Sequence, residues 1–65
     1  MSKFDDVHVQ LSGEDGNVFA IIARVSKAMK KAGYIDEAYV FCKAAAEADS
    51  YDAVLRLCMQ TVDVS

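Results

Sequence analysis

The stretch Ser12-Gly13-Glu14-Asp15-Gly16-Asn17 separates two apolar patterns of different period. Before it, Val7, Val9 and Leu11 alternate with His8, Gln10 and Ser12, which is the period of a half-buried strand. After it, Val18, Ile21, Ile22, Val25, Met29 and Ala32 recur at helical spacing. The chain therefore turns a corner here, from a strand over 7–11 into a helix over 18–32. Asn17 is placed to cap that helix, because its side-chain oxygen can accept from a backbone amide of the first turn. Glu14 and Asp15 bring negative charge to the positive end of the helix dipole, and Lys27, Lys30 and Lys31 bring positive charge to the other end. Gly33 follows as a left-handed terminator.

A second helix is expected from about Asp36, which would cap it, with Glu37 in its first turn. Its apolar face, Ala38, Phe41, Cys42, Ala45 and Ala48, is mostly small, so another helix can approach closely. The short connection Gly33-Tyr34-Ile35 makes the first two helices antiparallel neighbours. Asp49-Ser50 breaks the pattern and caps a third helix over 51–60, whose inner stripe is Tyr51, Val54, Leu55 and Cys58. In the tail, Thr61-Val62-Asp63-Val64-Ser65, alternation returns, and this segment is expected to pair with 7–11. The predicted fold is a small single α+β domain over 1–65, ordered strand-helix-helix-helix-strand. Its two-stranded sheet is formed by the chain ends, with 1–6 expected to be flexible.

Size sets the next constraint. A chain of 65 residues buries only about 60% of its unfolded surface, and alanines inflate the 54% apolar content. Such a core gains from oligomerisation, and a homodimer is expected. Strand addition at the edge of 7–11 is the favoured route, with packing on the Tyr39 side of the second helix as the other. The net charge of −3 argues against non-specific nucleic-acid binding, which needs Lys and Arg to neutralise phosphates. No apolar run is long enough to span a bilayer, and residues 1–6 lack the pattern of a signal peptide. A cytoplasmic location with no membrane partner is the expectation, and in that compartment Cys42 and Cys58 are read as reduced thiols.

Candidate sites are few. The turn Gly13, Glu14, Asp15, Gly16, Asn17 is a candidate ligand loop, because glycines at a strand-to-helix junction expose backbone amides to an anion. Its two carboxylates oppose a phosphate, and it carries neither GxGxxG nor a Walker pattern; a turn with a helix cap accounts for every residue. His8 is the sole histidine and lies on the outward face of its strand, without a nucleophile at motif spacing. No zinc pattern arises from His8, Cys42 and Cys58, so no metal, cofactor or catalytic residue is assigned. Arg24, Lys27 and Lys31 fall at i, i+3 and i+7 and form one basic stripe with Lys30 beside it, able to meet an acidic partner or phosphates. Tyr39 lies off the apolar face of the second helix and is a candidate interface anchor, with Tyr34 and Tyr51.

The run Val9-Gln10-Leu11-Ser12-Gly13-Glu14-Asp15-Gly16-Asn17-Val18-Phe19-Ala20-Ile21-Ile22 and the later Ala28-Met29-Lys30-Lys31-Ala32-Gly33 resemble small uncharacterised proteins of bacteriophages, prophages and bacterial mobile elements. Ser50-Tyr51-Asp52 and Val62-Asp63-Val64 fit the same likeness. That resemblance implies a host-acting or DNA-element accessory protein and carries no assigned residues.

The favoured function is thus a non-enzymatic interaction protein that acts through protein–protein contacts, on itself and on a bacterial or phage protein. One alternative is a small-ligand or nucleotide binder using the 13–17 turn and the helix start. The other is a nucleic-acid accessory factor using the basic stripe.

Overall fold

The computed structural model describes residues 3–11 and 17–65. Strand β1 (Phe4–Val9) is followed by α1 (Val18–Lys31), α2 (Ile35–Ala46), α3 (Tyr51–Thr61) and β2 (Val62–Val64). The two strands pair in parallel as a two-stranded sheet, so the domain is α+β with its sheet made from the chain ends. Parallel pairing needs a crossover of a dozen residues or more, which the three helices supply.

The strand starts at Phe4, three residues earlier than the alternation from Val7 suggests. The reason lies in its register. Phe4 pairs with Val62 and His8 with Asp63, so residues adjacent on β2 are matched by positions four apart on β1. This bulge breaks the two-residue period and hides the upstream half of the strand from any reading of alternation. Phe4 is instead held by its ring, 4.6 Å from that of Tyr34. Beyond Val9, where the strand ends, the Leu11 amide still donates to the Ser65 carbonyl at 2.9 Å.

The helix ends follow from local chemistry. The Asn17 side chain accepts from the Phe19 amide at 3.0 Å and starts α1. At its other end the Tyr34 amide donates to the Met29 carbonyl and the Gly33 amide to that of Lys30. This pair of bonds is a Schellman cap, and it requires the positive φ of 98° found at Gly33. Because the cap consumes Gly33 and Tyr34, α2 resumes at once, with the Tyr34 carbonyl accepting from the Ala38 amide at 3.0 Å. The expected cap at Asp36 is therefore displaced. Tyr34 occupies the cap position with no side-chain bond, while Asp36 and Glu37 sit inside the first turn, where their charge suits the dipole. Ser50 caps α3 by accepting from the Ala53 amide at 3.1 Å. The last helix runs one residue past Gln60, and Thr61 bonds back to the Leu57 carbonyl at 2.6 Å before the chain enters β2 without a loop.

One apolar cluster joins every element: Val7 and Val9 from β1, Ile21, Val25 and Met29 from α1, Ala38, Phe41 and Ala45 from α2, Val54 and Cys58 from α3, and Val62 from β2. The face of α1 is shifted slightly from the expected stripe, since Ser26 is buried and Ala32 is exposed. Tyr51 also leaves the expected inner stripe of α3 and is exposed. The small side chains of α2 do face inward, as a close helix contact needs.

Candidate functional site

The structure brings together two features that the sequence presents separately. A groove of about 590 Å³ runs between β1 and the outer face of α1. One wall is His8, Val9 and Gln10; the other carries Arg24, Lys27 and Lys31 together with Ala20, Ala23 and Ala28. The basic stripe is thus a single surface, and it lies beside a strand. Lys30 is exposed but does not line the groove. Lys27 and Lys31 are exposed, and Arg24 is exposed while also engaged within the chain.

Backbone geometry decides which way the polar groups of this wall point. The Val9 carbonyl accepts from the Ser65 amide at 3.0 Å, and the Leu11 amide donates to the Ser65 carbonyl, so the polar groups of Val9 and Leu11 point toward β2. In an extended chain these groups alternate from side to side. Those of His8 and Gln10 therefore point away from β2, along the edge that borders α1. Ala20, Ala23 and Ala28 line the same groove as the three cations. The signal missed in the sequence was this pairing of a strand edge with a basic helix face, which only the packing of α1 against β1 creates.

His8 itself takes a structural position. Its Nδ1 lies 2.6 Å from Asp63 Oδ2, directly across the ladder on the exposed side of the sheet. Among the described residues no group of three or more His, Cys, Asp or Glu side chains is arranged to hold a metal ion. Cys42 and Cys58 are free thiols, the first half-buried and the second buried. Burial pushes the Cys58 thiol up to about 11, which keeps it protonated and unreactive near neutrality.

Of the tyrosines, Tyr39 is 72% exposed on α2, near the exposed Ile35 and Val40. Tyr34 is instead engaged in the fold, with its hydroxyl donating to Asp6 Oδ2 at 2.8 Å. Of the candidate ligand turn, Gly13, Glu14, Asp15 and Gly16 lie outside the described residues, while Asn17 is the cap of α1. A second concavity, of about 520 Å³, opens between the start of β1, α2 and α3. Phe4, Val40, Phe41 and Leu57 line it, and Lys3, Asp36 and Glu37 contribute charges of both signs.

No family model, curated protein or solved structure matches this chain. Among the described residues, no helix is long and apolar enough to cross a membrane.

Proposed function

We propose that this protein is a non-enzymatic interaction module that binds an acidic part of another protein in the groove between β1 and α1. The observation that carries this reading is the row Arg24, Lys27, Lys31 standing beside the outward-directed backbone of His8 and Gln10. A cationic row on a chain of net charge −3 selects for acidic partners locally while the rest of the surface repels them. On this reading the partner is a bacterial or phage protein.

Nucleic acid is the weaker occupant of the same groove. No Phe, Tyr or Trp lines it, so bases would find no stacking platform, and three cations support only a shallow salt dependence. Titration of isotopically labelled protein with poly-L-glutamate, and separately with single-stranded and duplex DNA, distinguishes the two. Polyglutamate is expected to shift the amides of 24–31 and 8–11, with DNA weaker at equal charge concentration. Stronger binding of DNA, or polyglutamate shifts spread evenly over the surface, would overturn the reading.

A further inference from the structure

We infer that the acidic partner binds as an added β-strand along the edge of β1 that faces away from β2, with alternate carboxylates reaching the basic row of α1. This rests on the proposed acidic-partner reading and specifies how that partner is held. Two independent features converge on it. The edge offers the amide and carbonyl groups of His8 and Gln10, which an extended backbone satisfies in register. Beside it, Lys27 and Lys31 stand one helical turn apart on an exposed face, with Arg24 continuing the row.

The spacings agree. Lys27 and Lys31 lie four residues apart, about 6 Å along a helix axis at 1.5 Å per residue. Alternate side chains of an extended strand recur at about 6.8 Å, so two carboxylates two residues apart match that pair. The intervening side chains then lie on the outer side of the sheet, level with His8 and Asp63. A segment of alternating acidic and β-branched residues has both the backbone and the charge this groove needs.

A second copy of β1 fits less well. Antiparallel two-fold pairing at this edge would bring the helices of both copies to the same side of the extended sheet. Two rows of Lys27 and Lys31 would then face each other. Charge complementarity therefore points to a different, acidic strand.

The test uses the heptapeptide Glu-Val-Glu-Val-Glu-Val-Glu, blocked at both ends, and two versions N-methylated at all Glu or at all Val amides. In a strand the amides of alternate residues point to opposite edges, so only one methylated set faces β1. The parent peptide is expected to bind and to slow hydrogen exchange at the His8 and Gln10 amides, leaving Val9 and Leu11 unchanged. One methylated peptide should lose binding by roughly tenfold or more, while the other keeps it. The double variant Lys27→Glu with Lys31→Glu should weaken the parent by roughly fivefold to tenfold without changing the far-UV spectrum. Equal binding by all three peptides, or no slowing at His8 and Gln10, overturns strand addition while leaving an acidic partner in place. Failure of both the heptapeptide and polyglutamate to bind overturns both.

Discussion

The Tyr34 hydroxyl donates to the Asp6 carboxylate at 2.8 Å, fastening the α1–α2 connection to the bulged half of β1. The same side chain places its ring 4.6 Å from Phe4 at an interplanar angle of 44°. One residue thus holds both the polar and the apolar side of the upstream strand. Tyr34→Phe should lower the melting temperature slightly and Tyr34→Ala more, because only the second also removes the ring contact. Thermal melts of the two variants check the order; equal losses would mean that the ring contributes nothing.

The same bond has a sign in pH. The hydrogen bond to Asp6, then desolvation and the negative charges of Asp6 and Glu37, raise the Tyr34 phenol above its ordinary 10.0. The folded state therefore keeps this proton longer than the unfolded chain does. Its contribution is complete below pH 10 and is lost as pH rises through the raised value. A phenolate absorbance titration should show one tyrosine ionising above its ordinary value, and Asp6→Asn should lower its midpoint.

Cys58 sets a second alkaline limit. Its thiol rises from 9.0 to about 11 through burial, so native stability should decline between those values as the unfolded chain ionises first. Ellman's reagent at pH 8 should label Cys42 before Cys58, and Cys58 should become reactive only with global unfolding. Equal rates at the two thiols would contradict the burial of Cys58.

The helix caps give graded stability changes. Asn17→Ala and Ser50→Ala should each cost about 1 kcal/mol through an orphaned amide, and Asn17→Asp much less. Gly33→Ala should cost about 1–2 kcal/mol from backbone strain alone, since among the described residues nothing beyond its chain neighbours lies within 4 Å of an added Cβ. Urea melts read all four, and a Gly33→Ala variant as stable as the parent would show that the Schellman turn is not needed.

Charge decides where self-association would form. We expect a homodimer to use the exposed Ile35 and Tyr39 of α2, because the β1 edge sets like charges against each other. Sedimentation equilibrium should then show association that Tyr39→Ala reduces and that salt leaves unchanged. A dimer that strengthens with salt and ignores Tyr39→Ala would place the contact at the β1 edge instead.

Much of this fold was legible because its signals are local. Asn17, Gly33 and Ser50 mark helix ends through bonds within three or four residues of themselves, and the valines of 62–64 keep the strand period. What escaped was set by contacts distant in sequence. The bulge between Phe4 and His8 is defined only against Val62 and Asp63, and the displaced cap at Asp36 only by how the preceding helix ends. The groove was half legible. The basic spacing of Arg24, Lys27 and Lys31 can be read from the chain, but the strand edge beside it is a product of packing.

His8 and Asp63 meet across 55 positions of sequence, whereas each helix is closed by neighbours a few residues away. Bringing such remote segments together costs loop entropy before any contact rewards it, so the helices are expected to assemble first and the sheet to close last. The clasp between the chain ends is then a brake on unfolding more than an aid to folding. His8→Ala should speed unfolding while leaving the refolding rate almost unchanged. An acidic strand laid on the outer edge of β1 would tighten that brake, slowing the escape of a domain too small to rely on its core alone.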